Sequence, residues 1–268
     1  MMQIPDPTSG PRLVPIPQLA SGGRWRVEAM RSLREPLLLW FTQGQGRITV
    51  NGSTRGFGAH NAVFIPAGTM HGFEMVGRVY GTAVHFGRRD LPDLPDSPMH
   101  LRIRETSAQN ELNAILDGAQ REAGSDRPAA DRALAHHMGL LCVWLERQLA
   151  AGTEDAAQRR PVAAHRLAAR YARLLERDFR SGMSVGDYAA ALNVTPTHLT
   201  RACKAASGRP AHALLQDRVL FEARRLLCET RLPVNEIARR LGFTSHAYFT
   251  RTFQHNIGET PSSFRQRR

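Results

Sequence analysis

The last third of the chain contains the same pattern twice, at an offset of 49 or 50 residues. Each copy has a short apolar helix pattern, a tight turn, a second helix pattern and then a glycine. The corresponding pairs are Leu192 with Leu241, Thr200 with Thr250, Arg201 with Arg251 and Gly208 with Gly258. Such a repeat predicts one supersecondary unit built twice, and two helices joined by a tight turn are a known unit of this size.

The first copy carries signals for the ends of its helices. Ser184 is expected to cap a short helix over 185–192 with its hydroxyl. Thr195 is expected to cap the next helix, and Pro196 then takes the first helical position, where its missing N–H costs nothing. Gly208 can adopt the left-handed conformation that stops this helix.

A long helix over 211–227 is expected to join the two copies. The second copy then predicts a short helix over 234–241 and a further helix capped by Ser245. The side chains expected in the core of this last helix are Tyr248, Phe249 and Phe253. In the first copy, the side chains expected to face the core are Leu199, Ala202 and Cys203.

The second helix of each copy leaves a polar face outward. This face holds Thr197, Thr200, Arg201 and Lys204 in the first copy, and His246, Ala247, Thr250, Arg251 and Gln254 in the second. Arg can donate two hydrogen bonds to guanine, and Gln can bond the edge of adenine in the same way. These residues are therefore candidate DNA contacts, and a solvated helix face is the alternative for each. Arginines elsewhere are expected to contact phosphate or solvent, namely Arg218, Arg224, Arg225 and Arg265.

Positive charge is concentrated in the same region. The net charge is +12, and residues 161–268 hold 18 of the 36 Lys and Arg but only 8 of the 24 Asp and Glu. The remainder of the chain is nearly neutral, so the basic region is expected to bind a polyanion. Two adjacent helix-turn-helix units make double-stranded DNA the expected partner.

Residues 180–266 resemble the DNA-binding domain of the AraC/XylS family of bacterial transcription regulators. The resemblance is carried by Ile237–Phe243, Tyr248–Phe253 and Gly258–Arg265. It implies that the base-facing residues are Thr197, Thr200, Arg201, His246, Ala247, Thr250 and Arg251. The chain departs from the family at Ala247, which can only touch a thymine methyl. It also departs at Cys203, where the family has an aromatic residue, and this favours looser packing of the first unit.

Residues 24–106 contain short β-rich runs separated by glycines, which predict a small antiparallel barrel or sandwich. The runs are Leu37–Phe41, Arg47–Val50, Ala62–Ile65 and Val79–Phe86. The segments 44–52 and 64–71 resemble the motifs of a cupin barrel. Metal-dependent cupins need further His and Glu ligands, whereas residues 44–60 offer only His60, so no metal site is expected. The predicted fold class is α+β: a cupin-like β-barrel with following helices, then an all-α double helix-turn-helix domain.

Regulators of the resembled family commonly sense a small molecule in their barrel, and the resemblance extends that role here. The candidate effector-binding residues are Trp40, Arg47, His71, Phe73 and His85. Arg47 suits a carboxylate, and neutral His71 can donate or accept a hydrogen bond. Trp25 is also expected to lie on one of the predicted strands and could line the same pocket. An ordinary core position is the alternative for each aromatic residue.

Composition divides the chain into an arm (1–23), a barrel (24–106), a helical region (107–151), a linker (152–160) and a DNA-binding domain (161–268). The helical region carries a wide apolar stripe that includes Val143 and Leu149. This stripe is either a dimer surface or a surface packed on the barrel. The cysteines lack metal-ligand spacing, and no apolar run is long enough for a membrane helix, so we expect a cytoplasmic protein without a membrane partner.

These features together predict a sequence-specific DNA-binding transcription regulator that responds to an unidentified small-molecule effector. A homodimer is expected, and RNA polymerase is a further candidate partner. Neither enzyme activity nor a cofactor is expected, because no nucleophile and base pattern or metal ligand set is evident. A cupin enzyme with a basic appendage is the main alternative, and a metal assay separates the two. The second alternative is an architectural protein that binds DNA without sequence specificity. Competition by unrelated DNA at moderate salt distinguishes it from a sequence-specific regulator.

Overall fold

The computed structural model describes residues 10–87, 94–153 and 162–267, so the predicted arm 1–23, loop 88–98 and linker 152–160 each lie partly outside the described residues. The strands are β1 (Arg12–Pro15), β2 (Leu37–Val50), β3 (Ser53–Phe57), β4 (Asn61–Ile65), β5 (His71–His85) and β6 (Met99–Arg102). The helices are α1 (Trp25–Glu28), α2 (Thr106–Glu122), α3 (Ala130–Ala150), α4 (Ala163–Asp178), α5 (Val185–Ala191), α6 (Pro196–Ser207), α7 (Ala211–Glu229), α8 (Val234–Arg240), α9 (His246–Ile257) and α10 (Pro261–Gln266). Among the described residues, no helix combines the length and the apolar character that a membrane crossing requires.

The described strands form one antiparallel sheet in the order β1, β5, β2, β4, β6, with β3 paired to the second half of β2. Strands β2 and β5 form its centre, and their pairing runs from Leu37 opposite His85 to Val50 opposite His71. The edges are β1 and β6, so the pairing among the described residues does not close into a ring. Antiparallel strands followed by helices and then an all-α unit confirm the predicted α+β class.

Strand β2 joins two runs that the sequence presents as separate strands. The register with β5 shifts on either side of Gln43, and Gly44 continues the strand with a φ of 87°. A Cβ at this position would lie 2.4 Å from the carbonyl oxygen of Arg78, so a residue with a side chain would not fit here without displacing β5. This irregularity lets one long strand bend.

Both faces of the sheet are covered, which explains the uninterrupted apolar run at the start of β2. One face packs against α2 and α3, and there the indole N–H of Trp40 donates to Oδ1 of Asn113 at 2.9 Å. The other face forms a second core, in which the rings of Phe41 and Phe57 stack 3.9 Å apart.

Helix α3 buries only part of its predicted apolar stripe. Met138, Leu141 and Leu145 are buried against α2 and the sheet. Val143 and Leu149 are 40% and 37% exposed, so this part of the stripe does not pack on the sheet and stays available for the predicted dimer surface. Val143 lies on the side of the helix away from these contacts, whereas Leu149 lies in the last turn of α3, one turn beyond Leu145.

The predicted helix caps of the C-terminal unit are confirmed, and the helix ends agree with the prediction to within two residues. Ser184 caps α5, Thr195 caps α6 with Pro196 in the first turn, and Ser245 caps α9. The caps satisfy backbone N–H groups that have no partner inside the helix. Gly208 ends α6 with a φ of 74°, as predicted from its freedom to adopt a left-handed conformation.

The sheet domain lies against the C-terminal unit and shares a core with it, because Met30 and Met70 belong to the same apolar cluster as the residues of α4–α9. The backbone N–H of Met30 donates to Asp217 of α7 at 3.0 Å. Trp25, expected on a strand, lies in the short helix α1, and its ring packs 5.6 Å from the ring of Phe221. The prediction for Trp25 is therefore wrong, because the residue contacts the other domain.

Candidate nucleic-acid interface

Helix α6 presents the predicted polar face to solvent. Thr197, Arg201 and Lys204 are exposed and Thr200 is half-buried. These positions follow the i, i+3, i+4, i+7 spacing of a single helix face. The opposite face is buried through Leu199, Ala202 and Cys203, as predicted. The N-terminal turn is fixed because the Thr195 hydroxyl accepts the N–H of His198 at 3.2 Å.

Helix α9 repeats this arrangement. His246, Ala247, Arg251 and Gln254 are exposed, and Thr250 is half-buried. Phe249 and Phe253 are fully buried, as predicted.

Tyr248 was expected in the core beside these rings, but it is 56% exposed, so that prediction is wrong. Its ring lies 5.9 Å from the ring of Phe243, which follows the turn between α8 and α9. Tyr248 comes one residue before Phe249, and on an α-helix adjacent residues point in directions about 100° apart, since 3.6 residues complete a turn.

The exposed faces of α6 and α9 are cationic and contain no carboxylate, since neither helix includes an Asp or a Glu. Arg201, Lys204 and Arg251 make no hydrogen bond or ion pair with any residue in the described part of the chain. Exposed arginines nearby behave differently, because Arg239 and Arg240 of α8 both pair with Glu236. The charges of the two helix faces are thus available to a polyanion.

A buried ion-pair cluster lies between the two helix-turn-helix units. Glu222 of α7 is 3% exposed and accepts from Arg180 at 2.7 Å and from Arg225 at 2.8 Å. Arg218 contacts the same carboxylate at 3.5 Å and pairs with Glu176 of α4 at 2.6 Å. Burial by itself raises the pKa of Glu222, but the bonds and charges of the three arginines outweigh it and lower the pKa to about 2.

Four arginines that the sequence assigned to phosphate or solvent have structural roles instead. Arg218 is 4% exposed within the cluster described above, and Arg225 pairs with Glu222 and Glu229. Arg224 is buried with its guanidinium 4.8 Å from the Trp25 ring centre. Arg265 donates to the carbonyl oxygens of Leu227 and Leu232. The prediction is wrong for these residues, because each of them has an acidic, aromatic or carbonyl partner inside the protein.

The five candidate effector-binding residues lie in different parts of the sheet domain. Trp40 packs on the helix-covered face, whereas Phe73 belongs to the core of the opposite face. Arg47 is exposed on β2. The structure does not bring the five side chains together around one cavity.

The two histidines of this set are both buried. His71 is completely buried and its Nδ1 lies 2.9 Å from the carbonyl oxygen of Thr69, and burial lowers its pKa to about 3. Burial also lowers the pKa of His85, which contacts Glu35 at 2.9 Å and Arg12 at 3.0 Å. Among the described residues, no group of three His, Cys, Asp or Glu is placed to hold a metal ion.

A family model described as a helix-turn-helix domain matches residues 188–267. A Bacillus subtilis protein named as an uncharacterized helix-turn-helix transcriptional regulator, YfiF, is 35% identical over 83 residues. The arabinose operon regulatory protein of Escherichia coli K12 is 28% identical over 85 residues, and the xylose operon regulatory protein is 31% identical over 84. Each match covers 31% or 32% of this chain, but only 26%, 29% and 21% of the three relatives.

Solved structures with similarity include the C-terminal domain of AraT, a response regulator from Geobacillus stearothermophilus. It is 29% identical, covers 41% of this chain and 87% of that one, and has a TM-score of 0.36. ToxT from Vibrio cholerae is 10% identical and covers 96% of this chain and 98% of its own, with a TM-score of 0.41. The residues matched by the family model coincide with helices α5–α10. Residues 188–267 therefore form a helix-turn-helix domain, and over about a third of its length the chain is similar to the arabinose and xylose operon regulators.

Proposed function

We propose that this protein is a sequence-specific DNA-binding transcription regulator that acts at promoters through its two helix-turn-helix units. The observation that carries the proposal is the pair of capped helices, α6 and α9, whose exposed faces hold unpaired cations and no carboxylate. The regulatory names of the related operon proteins support the same function. Double-stranded DNA is the partner, read in two adjacent segments of the major groove.

Individual side chains have distinct proposed tasks at this interface. Arg201 and Arg251 occupy corresponding places and can each bond the O6 and N7 of a guanine. Gln254 can bond an adenine, and Ala247 can touch a thymine methyl. The remaining contacts, to base edges or to phosphates, come from Thr197, Thr200, Lys204, His246 and Thr250.

The sheet domain is proposed to sense a small-molecule effector, and the protein to have no catalytic activity or cofactor of its own. A homodimer fits the exposed apolar residues of α3, since Leu140 is 53% exposed and Val143 is 40% exposed. RNA polymerase is a proposed further partner at the promoter. The proposed domains are a sheet domain over residues 24–106, a helical region over 107–151 and a DNA-binding domain over 161–268.

Selection of bound DNA from a random pool, followed by titration of the selected site, tests the function. Arg251→Ala should weaken binding to that site by about 1–3 kcal/mol and relax the preference at one base position, because a bidentate contact is lost. Arg132→Ala is the matched control, since Arg132 is an exposed arginine on α3.

Two results would count against specific recognition. If the pool yields no enriched sequence, the protein is not a sequence-specific binder. If Arg251→Ala weakens selected and scrambled DNA equally, Arg251 contacts only phosphate, and an architectural DNA binder becomes the better description.

A further inference from the structure

A cavity of about 360 Å³ lies at the seam between the sheet domain and α4, the first helix of the C-terminal unit. We call it the seam cavity. Residues of β2, β3, β4 and β6 form one wall, and one side of α4 forms the other. The two walls meet closely at the turn between β2 and β3, because a Cβ on Gly52 would lie 2.7 Å from the carbonyl oxygen of Ala168. The volume is in the range of small-molecule sites in proteins.

The sheet wall of the cavity is mainly apolar. Ile48 and Val63 are each 1% exposed, and Val50, Pro98 and Met99 extend the same surface. A wall of this kind favours a ligand with an apolar body, because burying that body removes apolar surface from water.

The helix wall is cationic. Arg166, Arg170 and Arg173 follow the i, i+4, i+7 spacing of one helix face, and Arg55 of β3 adds a fourth guanidinium. No Asp or Glu lies among the described residues that line the cavity. Arginines beside a concave apolar surface without a carboxylate are suited to an acid group on a ligand.

Two of these arginines have no partner among the residues that the structure describes. Arg170 and Arg173 make no hydrogen bond or ion pair with any described residue. Farther along α4 the situation is different, since Arg177 pairs with Asp178 at 2.7 Å. Nδ1 of His165, which also lines the cavity, is buried and bonds to none of the described residues. The cavity therefore offers polar groups that a ligand can satisfy.

We propose that the seam cavity binds a small organic acid, with the acid group on Arg170 and Arg173 and the apolar body against Ile48, Val50 and Val63. The sequence pattern contained one signal for this site, the spacing of the arginines on α4. The regulatory meaning rests on the proposed function: such an acid would be the effector. Because both domains line the cavity, an occupied site would hold α4 against the sheet.

Binding can be tested without DNA, so a failure of the proposed function does not affect the outcome. The probe is anilinonaphthalenesulfonate, an apolar acid whose fluorescence rises in an apolar site, titrated into the full-length protein. Phenylnaphthylamine, which lacks the sulfonate, is the uncharged comparison. The double variant R170Q/R173Q should weaken the sulfonate probe at least about tenfold and leave the uncharged probe nearly unchanged. Arg177→Gln, the matched control on the same helix, should change neither.

A second variant locates the site by shape. Ala169 lines the cavity and is only partly buried, so Ala169→Trp should fill the space from a helix position that tolerates a larger residue. It should weaken both probes, and circular dichroism checks that the variant is folded. The proposal is overturned if R170Q/R173Q binds the sulfonate probe as tightly as the unmodified protein. It is also overturned if a folded Ala169→Trp variant retains full binding.

Discussion

At the scale of single residues, the surroundings decide what an arginine does. Arg251 of α9 and Arg218 of α7 are the same amino acid in one basic domain. Arg251 is exposed and has no partner among the described residues, whereas Arg218 is 4% exposed and pairs with Glu176 and Glu222. Only the first is available to DNA, and the second joins α4 to α7.

Glu222 provides the residue-scale prediction. Glu222→Gln leaves Arg180, Arg218 and Arg225 without their shared carboxylate. It should lower the free energy of unfolding by about 3 kcal/mol near pH 7, as expected for a broken buried ion pair. Urea titration measures the change. Glu236→Gln is the control, because Glu236 pairs with two exposed arginines and its loss should have little effect.

The same residue predicts a pH dependence with a definite sign. The pKa of Glu222 is lowered from 4.5 to about 2, so the folded state favours the ionised carboxyl. The stability that this carboxylate contributes is present above its unfolded pKa and is lost as the pH falls towards about 2. The difference between the unmodified protein and Glu222→Gln should therefore shrink between about pH 5 and pH 2. A difference that stays constant over this range would contradict the assignment.

At the scale of elements, the two helix-turn-helix turns share a conformation but not a residue. Asn193 and Gly242 hold corresponding positions, with φ angles of 56° and 78°. Asn193 is exposed, so its side chain meets solvent. A Cβ on Gly242 would lie 2.3 Å from the backbone nitrogen of Gly182, in the segment before α5. Asn and Gly both tolerate a left-handed turn, but only glycine fits where the two units touch.

A reciprocal pair of substitutions tests this difference. Gly242→Asn should destabilise the protein by about 1–3 kcal/mol, because the added side chain must push apart two backbone segments. Asn193→Gly should cost less than about 1 kcal/mol, since only chain flexibility changes. Urea midpoints measure both. Equal losses would show that the turn conformation, rather than the contact with Gly182, selects the glycine.

At the scale of the whole molecule, the two domains are joined by contacts between residues far apart in sequence. Asp217 accepts the N–H of Met30 at 3.0 Å, and Glu176 accepts the hydroxyl of Ser32 at 2.6 Å. The Trp25 ring packs against Phe221 and Phe264. Glu176, which bonds Ser32, also pairs with Arg218. The domain contact is therefore continuous with the ion-pair cluster between the two helix-turn-helix units.

Trp25→Ala tests whether this contact makes the two domains unfold together. Removing a partly buried tryptophan should cost about 2–3 kcal/mol, below the loss for a fully buried one. In urea, the unfolding transition of the sheet domain should then separate from that of the helical C-terminal unit. Circular dichroism measures the loss of helix, and the fluorescence of Trp40 and Trp144 measures unfolding of the N-terminal part. Tyr80→Ala is the control, because Tyr80 is 46% exposed on β5. An unchanged single transition in Trp25→Ala would show that the domain contact contributes little.

The caps, turns and repeat of the C-terminal unit could be predicted because they depend on neighbouring residues. Ser184, Thr195 and Ser245 bond to N–H groups three residues onward, and Gly208 needs only its own freedom to end a helix. Local chemistry of this kind is visible in the sequence. The outward faces of α6 and α9 were predictable for the same reason, since helical spacing fixes which residues share a face.

The sequence by itself therefore determined the repeated helix-turn-helix unit, its exposed cationic faces and the α+β class. Tertiary structure alone decided that Arg218 and Arg224 are structural, that Trp25 contacts the C-terminal unit and that Trp40 and Phe73 pack on opposite faces of the sheet. It also brought Arg55, Arg170 and Arg173 around one cavity. The physical reason is that ion pairing, burial and cavity shape depend on which distant segments meet, whereas capping and helical periodicity depend only on adjacent ones.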